Sequence, residues 1–344
     1  MSMPESFLVV VKCMTFNHHA YIKDAMNGFC MQKTDFPYLC IVMDDCSTDG
    51  EQEVIKKYVA EYFNSIINEE TDDYVLTLCQ HKTNENCYFA VFYLKYNHYS
   101  IKKDKASYYS RWQDKCKYVS ICEGDDYWVA ADKLQVQVDF LEKNEAYGAC
   151  ANESIVMYLK TRKKKLRNGK SIEYDVTITE LLQRLTEGKR EPWQLSGFLF
   201  RQIFAVTRPN FMNKLTLAGD MSLDLYILAS SKVRFIPKIV SVYRVGTESS
   251  LYRQNMPEHI DMQQQQRNLL SSFDEYTKYE YHDCIEILKT KLQFQEYEER
   301  GECNKLLQDD MKPVFRTLSL RNKVKIYIKV YFPFIKKWYN KSHK

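Results

Sequence analysis

Short apolar runs and helical periodicities alternate along the first half of the chain. FLVVVKC (7–13) is apolar and rich in β-branched residues, the mark of a buried strand. AYIKDAMNGFCMQ follows, with Ile22, Ala25, Met26 and Phe29 at i, i+3, i+4 and i+7, one face of a helix. YLCIVM (38–43) reads as a second buried strand that ends in Asp44-Asp45. Ser47 and Asp49 offer caps for a helix over EVIKKYVAEYF, where Ile55, Tyr58, Val59 and Tyr62 share a face. DYVLTLCQ (73–80) is a third strand, and the tyrosine-rich stretch after it, to about residue 115, is expected to form loops with one helix. KYVSIC (117–122) is a fourth strand. Asp132 and Gln135 then resemble a capping box opening a helix with Leu134, Val138 and Leu141 in register.

Strands alternating with helices imply an α/β fold, a parallel sheet covered on both faces. Such sheets bind ligands beyond the carboxyl ends of their strands. The polar groups collect there: Thr15-Phe16-Asn17 after the first strand, Asp44-Asp45 after the second, and Glu123, Asp125 and Asp126 after the fourth. One acidic pair alone is more often a turn or a helix cap. Three strand ends of this kind point to one crevice.

The pattern changes after residue 150. KTRKKKLRNGK (160–170) is a basic loop of low apolar content, read as a hairpin tip. WQLSGFLFR (193–201) and VRFIPKIVSVYRV (233–245) read as strands, and LAGDMSLDLYILAS (217–230) as a helix carrying Asp220 and Asp224. Residues 255–310 are helical in composition. The organisation expected is one α/β domain over residues 1–250 and a helical C-terminal extension over 251–344, which the length of 344 residues accommodates.

Charge and cysteine usage add two expectations. No acidic residue follows Asp310, and ten of the 49 Lys and Arg lie from Met311 onward, leaving 39 basic against 45 acidic residues, a net of −6, on the body. The tail, LSLRNKVKIYIKVYFPFIKKWYNKSHK, mixes these lysines with bulky apolar and aromatic residues. Its favoured reading is an interfacial segment, with Phe334, Trp338 and Tyr339 entering a lipid headgroup layer; a basic terminal helix packed on the body is the plainer one, and nucleic acid is not expected as a partner. Within it Val324, Ile326, Ile328 and Val330 alternate as in a strand, whereas Val324, Tyr327, Ile328 and Tyr331 fit a helix. Eleven cysteines occur without a CxxC pair, as expected for reduced thiols in a reducing compartment. The N-terminal apolar run is short and ends at Lys12, unlike a signal peptide, and no apolar run reaches the ~18 residues of a membrane span. A cytoplasmic protein, peripheral on the inner face of the plasma membrane, is expected.

Several chemistries are disfavoured. No GxGxxG follows the first strand, and GKS at 169–171 lacks the P-loop glycine, since residue 164 is Lys. HExxH and Gly-x-Ser-x-Gly are absent. Carboxylates crowded at a strand end suit Mg²⁺ or Mn²⁺, which takes one or two carboxylates and completes its shell with phosphates and water. Phe16 could stack on a base and Asp45 could accept from an imide N–H. The ligand so described is a nucleoside diphosphate with a group attached.

The order TFN, DDCSTD, then EGDDYW followed by DKLQVQVDFLEKN, resembles the family 2 glycosyltransferases of the GT-A fold, especially bacterial members that build surface polysaccharides. The resemblance covers roughly residues 5–250. It implies a Rossmann-like mixed, mainly parallel sheet flanked by helices. It also implies an inverting transfer from a nucleotide-diphosphate sugar, most often UDP-linked, to a glycan or lipid-linked oligosaccharide. Thr15, Phe16, Asn17 and Asp45 would then form the nucleotide end of the site. Asp125 would lie near the ribose or sugar, Asp126 would hold the Mn²⁺ or Mg²⁺, Arg244 would help hold the diphosphate, and Asp220 would be the catalytic base, with Asp224 competing for that role. Two departures stand out. Gly246 occupies the place where members often carry a histidine, and Asp114-Lys115-Cys116 replaces a usual Ala-x-Gly. Two rivals remain: a nucleotidyltransferase making the nucleotide sugar, disfavoured because residues 11–20 contain no glycine, and a non-catalytic glycan-binding scaffold on a degenerate transferase fold.

Overall fold

The computed structural model describes residues 3–212, 219–247 and 256–332. Its contacts divide the chain into two compact units. One comprises Met1–Ile178, Arg190–Arg208 and Leu223–Arg253; the other comprises Thr179–Lys189, Pro209–Ser222 and the chain from Gln254.

In chain order the elements up to residue 245 are β1 (Val9–Thr15), α1 (Ile22–Cys30), β2 (Tyr38–Asp44), α2 (Glu51–Tyr62), β3 (Phe63–Glu70), β4 (Tyr74–His81), β5 (Cys87–Leu94), α3 (Ala106–Gln113), β6 (Tyr118–Ile121), β7 (Tyr127–Trp128), α4 (Lys133–Lys143), β8 (Tyr147–Tyr158), β9 (Lys164–Leu166), β10 (Tyr174–Val176), α5 (Ile178–Thr186), β11 (Phe198–Arg201), α6 (Ile203–Val206), α7 (Gly219–Ser230) and β12 (Lys232–Val245). All the strands belong to the first unit and join one mixed sheet. Its order is β10-β12-β8-β11-β6-β1-β2-β5-β4-β3, with β7 on β12 and β9 on β8. The central block β6-β1-β2-β5 is parallel, while β11, β4 and β3 are antiparallel to their neighbours.

The central strands form because they are apolar on both faces. Every residue of β2 and β5 is buried, as expected of a parallel sheet covered twice. Ile22, Ala25, Met26 and Phe29 of α1 are buried as their periodicity requires, and so are Ile55, Tyr58 and Val59 of α2; Tyr62 stays exposed. Six strands escaped the pattern, among them β3, β5 and β8. β5 lies in the tyrosine-rich stretch expected to hold loops, and α3 is the one helix there. β3 follows α2 without a break. β8 carries Asn152, Glu153 and Ser154 at its centre, all fully buried, so its apolar signal is interrupted. The basic stretch 160–170 does form a hairpin, with β9 antiparallel to β8. The expected capping box does not close: Asp132 pairs with Lys238, and Gln135 Oε1 accepts from Asp35 N at 3.0 Å.

A buried polar layer lies under α4. Lys133 is fully buried, and its Nζ donates to Ser120 Oγ at 3.0 Å and Gln137 Oε1 at 2.9 Å, 4.2 Å from the centre of the Trp128 ring. Gln137 Nε2 donates to Asn152 Oδ1 at 2.8 Å and Gly197 O at 3.0 Å. These bonds join β6, β8 and the segment before β11 at one level.

The second unit is helical: α5, α8 (Met256–Tyr276), α9 (His282–Glu299), α10 (Lys312–Thr317) and α11 (Leu320–Tyr331). Phe294, Cys303, Leu306, Met311, Val314 and Ile326 form one of its cores, and Phe211 packs on Phe273 and Tyr276. Ser319 caps α11 by accepting from Asn322 N, so Val324 to Tyr331 is helix rather than strand. Phe334, Trp338 and Tyr339 lie outside the described residues.

Burial pulls Lys133 down from its ordinary 10.5 to about 7. The folded state therefore holds fewer protons than the unfolded chain between those values, and stability rises with pH across the window. Urea denaturation from about pH 7 to about pH 10 should show wild type gaining stability relative to Lys133→Met. Parallel curves for the two proteins would show that the lysine is charged in the fold.

Candidate functional site

The parallel register sets Thr15 beside Asp44 and Asp44 beside Tyr93, so β1, β2 and β5 end at one level. Asp45 N donates to Thr15 O at 3.0 Å and extends that pairing by one residue. Beyond it two loops lock together. Asn17, at a left-handed φ of 57°, donates its N–H to Ser47 Oγ at 2.8 Å, and its Oδ1 accepts from Thr48 N at 2.8 Å. The Thr15 hydroxyl donates to Glu51 Oε1 and lies 3.1 Å from His18 Nδ1. Glu51, the first residue of α2, also accepts from His18 N at 2.7 Å and Ser47 Oγ at 2.9 Å. Burial raises its carboxyl from 4.5 to about 7, against these hydrogen bonds, which lower it. Phe16, between Thr15 and Asn17 in this loop, is 37% exposed.

The two carboxylates after β2 differ. Asp45 Oδ1 accepts from His98 N at 2.7 Å, and its Oδ2 accepts from Tyr99 N at 3.0 Å and Lys105 Nζ at 2.9 Å. Asp45 thus anchors the loop before α3. Asp44 Oδ1 accepts from Ser47 N at 3.0 Å and Gln52 Nε2 at 2.7 Å, while its buried Oδ2 has no hydrogen-bond partner. Ser47 and Gln52 also line a cleft of about 650 Å³ with Lys56, Tyr93 and Lys95.

After β6 the chain turns sharply at Gly124. A Cβ there would stand 2.1 Å from Thr15 Oγ1 and 2.7 Å from Thr15 Cβ, so only glycine lets this turn lie against the end of β1. The next two side chains part. Asp126 turns inward, and its Oδ1 accepts from Arg244 N at 3.0 Å. Burial first, and Asp125 next, push its carboxyl well above the usual range. Asp125 keeps 14% of its side chain exposed, and its Oδ2 accepts from Thr247 Oγ1 at 3.0 Å and stands 3.8 Å from His18 Nε2. Burial lowers the pKa of His18. The Arg244 guanidinium donates to Asp125 O at 2.7 Å, pairs with Asp24, and lies 4.3 Å from the Tyr127 ring centre.

The structure therefore brings Thr15, Phe16, Asn17, Asp45, Asp125, Asp126 and Arg244 to one edge of the sheet. Sequence reasoning assigned the cation to Asp126. That carboxylate is buried and accepts from Arg244 N, while Asp125 beside it keeps part of its side chain exposed. Asp220 is exposed in the first turn of α7 and falls in the second unit. Asp224, expected to be exposed if not catalytic, is buried, and its Oδ1 accepts from the Trp193 indole at 3.1 Å. Glu51, Lys105 and Thr247 were not singled out, and His18, whose pairing with His19 reads as surface, is buried. Only Glu51 left a trace in the sequence, as the acid that follows the Ser-Thr-Asp-Gly turn.

The donor set fits a hard divalent ion. Oxygen atoms dominate it, and the Asp44 carboxylate at the end of β2 keeps one oxygen without a hydrogen-bond partner. Among the described residues, the strand-end carboxylates do not bring three ligand atoms within 4.8 Å of one another. Mg²⁺ and Mn²⁺ do not need that many from a protein when a diphosphate completes the shell.

No protein-family model matches the chain. It is 26% identical over 238 residues to uncharacterized proteins of Mycobacterium tuberculosis and Mycobacterium bovis, an alignment covering 67% of this chain and 57% of theirs. The chain thus spans little more than half the length of the curated relatives it matches. Among solved structures it is similar to S. aureus TarS 1-349 in complex with UDP-GlcNAc, with a TM-score of 0.51 and 15% identity over 89% of this chain and 77% of that one. It is also similar to the mannosyltransferase PcManGT from Pyrobaculum calidifontis in complex with GDP-Man and Mn²⁺, with a TM-score of 0.50 and 13% identity over 95% and 85% of the two chains. The likeness is one of fold. A mixed α/β sheet flanked by helices, with helices following it, is the architecture expected from the sequence and is shared with these glycosyltransferases.

An acid raised from 4.5 to about 7 binds a proton on folding between those values, so its contribution is complete below 4.5 and is lost as pH rises through 7. Wild type should lose on the order of 3 kcal/mol relative to Glu51→Gln between about pH 4.5 and pH 7.5. Denaturant titrations of both proteins across that range check this, and a constant difference would contradict it.

Proposed function

We propose that the chain is a metal-dependent inverting glycosyltransferase of the GT-A family 2 type. It would take a sugar from a nucleotide-diphosphate donor, UDP-linked by preference, and pass it to a glycan or polyprenyl-linked oligosaccharide in surface polysaccharide synthesis. The observation that carries this reading is the convergence of Asp45, Asp125, Asp126 and Arg244 on the carboxyl edge of a parallel sheet, where α/β folds bind ligands. The fold shared with TarS and PcManGT supports it.

Thr15, Phe16 and Asn17 would receive the base, Phe16 by stacking. Asp45 would accept from the base. Asp125 would ligate Mn²⁺ or Mg²⁺, and Asp126 would hold the turn that presents Asp125. A bound cation supplies positive charge for the departing diphosphate. Arg244, already bonded to the Asp125 carbonyl, would add its charge at the same place. Asp220 would accept the proton of the acceptor hydroxyl as that oxygen bonds to the anomeric carbon. The bond from the anomeric carbon to the diphosphate oxygen breaks in the same step, with inversion.

A panel of nucleotide sugars assayed for nucleoside diphosphate release with Mn²⁺ tests this. One donor should be turned over, and Asp220→Asn should lose about 100-fold or more in kcat while still binding that donor. Wild-type turnover by Asp220→Asn would remove the base from Asp220, and no release from any donor would remove the transferase reading.

The membrane-surface location rests on α11. Leu320, Val324, Tyr327, Ile328 and Tyr331 are exposed along it, with Arg321, Lys323, Lys325 and Lys329 between them. An apolar face rimmed by cations is complementary to anionic lipid. No helix among the described residues is long and apolar enough to cross a membrane. In co-sedimentation, the chain should bind vesicles containing phosphatidylglycerol but not neutral ones. Replacing Lys323, Lys325 and Lys329 by Gln should weaken binding by about 100-fold, at ~1 kcal/mol for each charge. Equal binding to both vesicle types would contradict an electrostatic dock.

A further inference from the structure

Remote from the strand-end carboxylates in sequence, the second unit carries another cluster. Asp274 lies near the end of α8, His282 opens α9, and Glu286 follows one turn later on the same helix. One ligand atom from each comes within 4.8 Å of the others, and His282 Nδ1 is 2.7 Å from Asp274 Oδ2. Asp274 is 3% exposed, yet its Oδ1 has no hydrogen-bond partner. A buried carboxylate oxygen left bare is energetically expensive, and a bound cation removes that cost. The connecting turn adds a second cost. Lys278 and Tyr279 both adopt left-handed backbone, at φ 53° and 64°, with no glycine to make that easy.

We propose that Asp274, His282 and Glu286 bind a divalent cation of the zinc class, which staples α8 to α9 across the turn. One imidazole and two carboxylates suit Zn²⁺ better than Mg²⁺ or Ca²⁺, which prefer oxygen alone. Two carboxylates and a neutral imidazole balance the charge of the ion. Its place between Asp274 and His282 is now taken by their shared hydrogen, which the ion displaces. The bare Asp274 oxygen makes the cluster's deepest group an acceptor in need of a cation. His282 keeps 51% of its side chain exposed and so leaves a path for entry. Glu286 also pairs with Lys289 at 2.6 Å, a contact the ion must share or replace. The fourth position falls to water, as in zinc sites with three protein ligands. This site differs in unit and in ligand chemistry from the one proposed for the donor diphosphate, and its work is structural.

The test uses the full chain carrying Asp125→Asn, so that the strand-end site is silenced. Calorimetric titration with Zn²⁺ should show binding that His282→Gln and Glu286→Gln each weaken by more than the ~10-fold that loss of an outer partner costs. Zn²⁺ should also raise the thermal midpoint of the Asp125→Asn chain and leave that of the added His282→Gln variant unmoved. His282 is half exposed, so this variant is expected to fold, and its circular dichroism without metal serves as the control. Failure of the Asp125→Asn chain to bind Zn²⁺, or binding that His282→Gln leaves unchanged, would overturn the proposal and leave a simple Asp–His ion pair.

Discussion

The hydrogen bond from Arg244 N to Asp126 Oδ1 joins β12 to a turn distant from it in sequence. β12 contributes the backbone donor, and the turn after β6 contributes a carboxylate buried on every side. Several features depend on it. The Arg244 side chain reaches the Asp125 carbonyl and Asp24 from this anchored backbone. Thr247, three residues on, meets Asp125 Oδ2. Gly124 lets the same turn press on Thr15, which is itself bonded to Glu51. Removing the Asp126 acceptor would leave a buried N–H unpaired and free the turn that aims Asp125, at a cost of about 1–3 kcal/mol.

Negative charge is dense at this edge. Asp44, Asp45, Glu51, Asp125 and Asp126 gather there, with Lys105 and Arg244 as the nearby cations. The fold answers in three ways. Asp45 is neutralised by Lys105 and two backbone N–H groups. Glu51 and Asp126 are pushed toward their neutral forms by burial. Asp44 keeps one oxygen bare. So many acids at one edge cost the protein alone stability, and the cation and diphosphate proposed above would offset that repulsion.

Much of the frame was legible because it rests on apolar patterning. β1, β2 and β6 are short apolar runs, and α1, α2 and α4 bury the faces their periodicity marks. What stayed hidden depends on contacts rather than composition. β8 was masked by Asn152, Glu153 and Ser154, which are buried because each finds a partner on α4, across the sheet or in the loop at 168–169. Asp125 and Asp126 are adjacent and chemically alike. Which one faces outward is decided by Gly124 and by a donor 118 residues away, so the sequence could not tell the outward carboxylate from the inward one. The bonds of Asp45 to His98, Tyr99 and Lys105 likewise become visible only once the loop before α3 is in place. The role of Asp220 comes from resemblance alone, since nothing in its local pattern separates it from any acid in a first helical turn.

If the carboxyl edge of the sheet serves the function proposed for it, it binds a nucleoside diphosphate together with a divalent cation held by Asp125. Calorimetric titration of UDP, GDP and CDP into the wild-type chain, with and without Mn²⁺, and into Asp125→Asn and Asp126→Asn, tests this directly. The expected result is metal-dependent binding of one nucleotide, lost in Asp125→Asn with the fold intact. Asp126→Asn should instead lower stability first. Nucleotide binding that ignores Mn²⁺ and survives Asp125→Asn, or no binding by the folded wild-type chain, would contradict it.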